Sequence, residues 1–82
     1  MFFVYAIHNS VADKIYIGST DNIERRLNEH NSKGGNHFTS RFEGEWKLIY
    51  KEEVEDRRTA LIRGKQLKSY QGRKFIKKYI PL

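Results

Sequence analysis

The stretch from Lys14 to Asn31, KIYIGSTDNIERRLNEHN, changes its hydrophobic period midway, and that change constrains the fold more than any other feature. Ile15, Tyr16 and Ile17 form a β-branched and aromatic run that breaks at Gly18. Asp21 followed three residues later by Glu24 has the pattern of a capping box, so a helix is expected from about Asn22 to His30. On it Ile23, Leu27 and His30 recur at spacings of four and three, and Arg26 stands four residues before His30. A strand that gives directly onto a helix needs a strand partner, and the preceding residues supply one.

Phe2 to His8 alternates so that Phe3, Tyr5 and Ile7 share one face while Val4, Ala6 and His8 share the other. Asn9 to Asp13 provides the turn of a hairpin. Pairing His8 with Asp13 sets Tyr5 opposite Tyr16, with Cβ atoms about 5 Å apart, and Gly18 opposite Phe3. Val4, Ala6, Ile15 and Ile17 then fall together on the opposite face. The expectation is two tyrosines presented on one face and an aliphatic core on the other. Cross-strand tyrosines with no chemistry are the alternative. If the pair is functional, Tyr5→Phe and Tyr16→Phe should each leave stability within about 1 kcal/mol.

Asn31 to Gly35 ends the helix and reads as a flexible loop, and Asn36 to Arg41 reads as loop or a short helical turn. Trp46 to Glu53 is a third strand. Glu55 and Asp56 open a helix that runs to about Lys68, Tyr70-Gln71-Gly72 breaks it, and Arg73 to Tyr79 forms a short last helix before Pro81. A helix connects the second strand to the third, so placing the first strand in the middle makes every pair antiparallel. The fold class is α+β: a small three-stranded antiparallel sheet with about three helices, one domain over residues 1–82.

Composition narrows the function. The chain has no cysteine, which removes disulfides and Cys-based zinc sites and fits a cytoplasmic setting. No apolar run approaches the roughly 20 residues of a membrane span, and MFFVYAIHNS reads as a strand rather than a signal peptide. The formal net charge is +6, unevenly placed: from Arg57 to Lys78 stand Arg57, Arg58, Arg63, Lys65, Lys68, Arg73, Lys74, Lys77 and Lys78 with no acid among them. Such a run is either a solvated helical surface or an electrostatic footprint for a polyanion, to which Tyr70, Phe75 and Tyr79 add stacking surface.

Tyr16-Ile17-Gly18 followed by Arg26 and His30 resembles the second half of the signature of the GIY-YIG nuclease superfamily, with Phe3-Val4-Tyr5 in the place of its first tripeptide. The resemblance continues through Trp46 to Tyr50 and from Thr59-Ala60-Leu61 to Gln66-Leu67-Lys68, and is greatest to small stand-alone members. It implies a metal-dependent endonuclease acting on DNA more readily than RNA. Tyr5, Tyr16, Arg26 and His30 match the catalytic positions: the tyrosines line the scissile phosphate, one of them helping to deprotonate water, the arginine neutralises the phosphate and the histidine handles a proton. A fixed guanidinium contributes where phosphate charge grows, and a phenol of pKa about 10 needs cations nearby to serve as a base. Without the resemblance, Arg26 reads as a surface arginine and His30 as a helix cap. Candidate substrate contacts are Gly18, Thr39, Lys65, Lys68, Arg73 and Lys74.

One position departs from the pattern. The family holds a Mg²⁺ or Mn²⁺ ion with a glutamate on the helix after the third strand, and the matching residue here is Gly64. Glycine in a helix interior costs about 1 kcal/mol relative to alanine. The chain is then a naturally degenerate member, an inactivated version of an active nuclease, or one whose metal ligand lies elsewhere. The alternative function is a non-catalytic nucleic-acid-binding module that uses residues 57–78.

Overall fold

The computed structural model describes residues 1–32 and 38–81. Residues 33–37, which hold most of the expected glycine loop and the start of the following segment, lie outside them. Strands β1 (Phe2–Asn9), β2 (Lys14–Thr20) and β3 (Trp46–Val54) form one sheet in the order β2-β1-β3, antiparallel throughout. Helices α1 (Ile23–His30), α2 (Arg57–Lys68) and α3 (Tyr70–Lys77) accompany it, with a 3₁₀ turn over Phe38–Arg41.

The hairpin register differs from the expected one by two residues. Tyr5 pairs with Gly18, Ile7 with Tyr16 and Asn9 with Lys14. The cause is Asn9: its Oδ1 accepts from the amides of Val11 and Ala12, both at 3.0 Å, so the strand runs one residue further before turning. Asp13 closes the turn with φ 52, a left-handed conformation that Asp tolerates better than most residues. A shift of two leaves each side chain on its expected face. Gly18 is no break; β2 continues through it to Thr20.

Both faces of the sheet are covered. Val4, Ala6 and Ile17 pack with Ala60, Leu67 and Ile76 of α2 and α3. Tyr5, Ile7 and Trp46 form a second core, closed by Ile23 and Leu27 of α1 with Tyr16, Phe42 and Leu48. Tyr5 is therefore not presented at a surface: only 1% of it is exposed. A central strand buried on both sides explains the almost continuous apolar run of β1.

Two helix boundaries also differ from expectation. Asn22, not Asp21, caps α1 by accepting from the Arg25 amide at 3.0 Å, while Asp21 pairs with the Arg25 guanidinium. No capping box forms, because Asn22 lies nearer the first turn and competes for the same role. Ser69 ends α2 and starts α3: its backbone is extended, and its hydroxyl accepts from the Gly72 amide. Tyr70-Gln71-Gly72 is thus the first turn of α3 rather than a break.

Candidate functional site

Because α1 follows β2 with only two residues between them, the last turn of α1 returns over the sheet face that carries Tyr5 and Tyr16. His30, the final residue of α1, is 1% exposed. Its Nε2 lies 2.7 Å from the Tyr5 hydroxyl and its Nδ1 lies 2.7 Å from the Thr39 hydroxyl. Both ring nitrogens are engaged by groups able to donate or accept, so the chain Tyr5–His30–Thr39 can hold a proton at either end of the imidazole. The Thr39 carbonyl in turn accepts from the Trp46 indole at 2.9 Å.

Tyr16 stacks obliquely on His30, with ring centroids 4.8 Å apart, and lies 6.4 Å from Tyr5. Unlike Tyr5 it is only half-buried. Arg26 is on the same helix, partly exposed, with its guanidinium 2.7 Å from a Glu29 carboxylate oxygen. Burial pushes the Tyr5 phenol up to about 12, with the Arg26 guanidinium pulling the other way. In this environment Tyr5 keeps its proton at neutral pH.

Tyr5 thus behaves differently from the sequence expectation. Removing a buried hydroxyl that fills the hydrogen-bond demand of His30 costs about 1–3 kcal/mol, so Tyr5→Phe should destabilise by that amount while Tyr16→Phe changes little. A second signature follows from the raised phenol. Its folded value lies above its unfolded one, so its contribution is intact below about pH 10 and is lost as pH rises from there to about 12. Urea titrations at pH 7 and across that alkaline range check both points; the Phe variant should lack this part of the alkaline fall.

Gly18 explains how the cluster packs. A Cβ at that position would stand 2.8 Å from the Tyr5 hydroxyl oxygen and 3.0 Å from the Tyr16 ring. Only a residue without a side chain leaves both tyrosines in place. The structure therefore brings together Tyr5, Tyr16, Gly18, Arg26, His30 and Thr39. Thr39 and His30 are buried, which places Thr39 behind the imidazole rather than at a surface.

Gly18 also borders a cleft between the edge of β2 and α2, lined by Gly64, Lys65 and Lys68 among others. Those two lysines share the lining of that cleft with Gly18. Arg73 and Lys74 lie on α3 with local partners: Arg73 donates to the Lys68 carbonyl at 3.1 Å, and Lys74 sits 5.7 Å over the Tyr70 ring. Two contributors escaped the sequence. Phe38 is half-exposed and stacks at 6.5 Å with Tyr16, extending its ring surface outward. Asn31 bonds the backbone of Trp46 in both directions, at 2.7 and 3.0 Å, and so ties the His30 end of α1 to β3. An asparagine at a helix end was the available signal, and it reads equally as an ordinary cap.

Position 64 does not fit the divalent ion that the family pattern implies. Gly64 is inside α2, offers no oxygen donor, and the direction of its missing Cβ meets no atom within 4 Å. Among the described residues, no group of three or more His, Cys, Asp or Glu is arranged to hold a metal ion. Among the same residues, no helix is long and apolar enough to cross a membrane.

A family model described as the GIY-YIG catalytic domain matches residues 1–79. No curated protein and no solved structure matches the chain.

Proposed function

The chain belongs to the GIY-YIG family of nucleases, which act on nucleic acid, and on that premise we propose that it grips a phosphodiester of DNA at the Tyr16–Arg26 surface but hydrolyses it poorly for want of a carboxylate at Gly64. Tyr16 and Arg26 are the side chains of the cluster with exposed surface, so they meet the phosphate. Arg26 uses one of its five donors on Glu29 and keeps others for the phosphate oxygens. Tyr5 and His30 stand behind them: the Tyr5–His30–Thr39 chain fixes the imidazole and can hold a proton near the Tyr16 ring.

The observation that carries this reading is Gly18, where the strand keeps no side chain so that two tyrosines and the histidine converge beside a partly exposed arginine. A merely structural aromatic cluster needs no guanidinium at its edge with donors left over from its pairing with Glu29. Family members generally depend on a metal ion, Mg²⁺ or Mn²⁺ by the resemblance, and Gly64 leaves that requirement unmet. A cytoplasmic setting is part of the proposal, on the absence of cysteine.

The basic helices supply strand affinity. Lys65, Lys68, Arg73 and Lys74 are all exposed, and counterion release from contacts of this kind makes log K fall with log[salt] at about 0.7–0.9 per neutralised phosphate. Replacing all four with glutamine should weaken DNA binding across sequences and flatten the salt slope, measured by fluorescence anisotropy between about 50 and 200 mM salt. An unchanged slope would reduce these residues to a solvated face. An Arg26→Gln variant that binds as tightly as the parent would remove the phosphate from the tyrosine cluster.

A further inference from the structure

Leu61, Gly64, Lys65 and Lys68 follow the i, i+3, i+4, i+7 spacing and so occupy one side of α2. Together with Gly18 and Ser19 of β2 they line a cleft of about 350 Å³. That volume is in the lower part of the range of small-molecule sites, about 300–1,000 Å³. Gly64 adds no side chain to it, and nothing lies within 4 Å of where its Cβ would stand. Leu61 and Ile62, each more than half exposed, give the cleft its apolar walls. The charged groups lining it are Lys65 and Lys68, and no acid joins them. An occupant complementary to these walls has a flat or apolar body and an anionic end. Gly18, in its lining, is also the residue against which Tyr5 and Tyr16 pack.

We infer that this cleft seats one nucleotide unit of the bound strand, with sugar and base against Leu61, Ile62 and Gly64 and its phosphate between Lys65 and Lys68. The missing side chain that removes an oxygen donor also makes the room. The continuity of the strand from the cleft to Tyr16 rests on the proposed phosphate site, whereas occupancy of the cleft by a nucleotide does not. A lone inorganic anion would satisfy the lysines yet leave the apolar walls exposed, and a free nucleoside would leave the lysines without a partner. The nucleotide satisfies both.

The test is a titration of the ¹⁵N-labelled chain with a deoxynucleoside 5′-monophosphate at constant ionic strength, beside inorganic phosphate and the free nucleoside. Saturable shifts of the Gly18, Ser19, Gly64 and Lys65 amides are expected with the nucleotide, at least tenfold tighter than with either companion. Gly64→Leu, whose Cβ meets no atom within 4 Å and whose side chain takes up cleft space, should weaken nucleotide binding at least tenfold, as should Lys65→Gln combined with Lys68→Gln. Phosphate alone acting as well as the nucleotide would overturn the inference, and so would a folded Gly64→Leu chain that binds undiminished. Should Gly64→Leu fail to fold, the lysine variant decides by the same ratio. None of these readouts needs cleavage. Loss of mononucleotide binding in Arg26→Gln would also count against the cleft, since Arg26 lies outside it, whereas loss of long-strand binding alone in that variant bears on the phosphate site.

Discussion

Gly64→Glu should confer divalent-dependent cleavage of DNA at least about 100-fold above that of the chain as it stands, because a metal ion contributes several kcal/mol to charge stabilisation and each 1.4 kcal/mol is tenfold in rate. The structure gives this substitution unusual freedom. Nothing lies within 4 Å of a Cβ at this position, so the carboxylate has room in the cleft; it takes the space inferred there for a nucleotide unit, and the strand it cleaves is held at Tyr16 and Arg26 instead. It supplies the oxygen donor that the described residues lack at this place. The helix gains as well. Relieving a glycine in the interior of α2 should contribute a few tenths to about 1 kcal/mol, and glutamate four residues before Lys68 adds about 0.2–0.5 kcal/mol. Activity and stability should therefore rise together, which is uncommon for a site residue. The measurement is cleavage of labelled single- and double-stranded DNA with Mg²⁺ or Mn²⁺, parent beside variant, with thermal unfolding in parallel. Robust metal-dependent cleavage by the parent would put the ligand elsewhere in the chain. Silence of a folded Glu variant on every substrate would favour the binding module without catalysis.

How much of this was legible beforehand varies residue by residue, for physical reasons. Strand and helix periods placed all three strands and α1 and α2 to within a residue or two, because burial on alternate faces leaves its mark in the pattern. The sheet order followed from the helix in the connection between the second and third strands, which leaves an all-antiparallel sheet only with the first strand in the middle. The register did not, since it turns on the side chain of Asn9 reaching two amides in the turn. Nor did the burial of Tyr5. An alternating strand says which residues share a face, and only α1 folding back with Ile23 and Leu27 decides that this face is a second core. Arg26 and His30 were visible as helix neighbours of the anchor residues. The pairing of His30 with both Tyr5 and Thr39 was not, because Thr39 arrives from a separate turn nine residues on. The basic run was plain in the sequence, whereas its division into Lys65 and Lys68 at the cleft and Arg73 and Lys74 on α3 required the bend at Ser69.

The two glycines of the C-terminal helices should respond to alanine with opposite signs. Both stand inside helical segments, and on propensity alone each replacement would stabilise by up to about 1 kcal/mol. Gly64→Ala should do so, since its Cβ enters open space. Gly72→Ala should destabilise by about 3 kcal/mol, at the upper end of what overpacking costs. A Cβ at Gly72 would collide with the carbonyl oxygen of Gln66 and with Leu67 Cα and its carbonyl, all of them backbone at the end of α2. Backbone cannot rotate aside as a flexible side chain does, so α3 must lift away from α2. Ile76, fully buried in the core beneath both helices, and Phe75 beside it would lose packing as it lifts. The Ser69 hydroxyl would also move from the Gly72 amide it caps. Chemical denaturation of the two alanine variants beside the parent measures the contrast directly. A neutral Gly72→Ala would mean that α3 slides along α2 at little cost, and the tight approach of the two helices would then be no requirement of the fold.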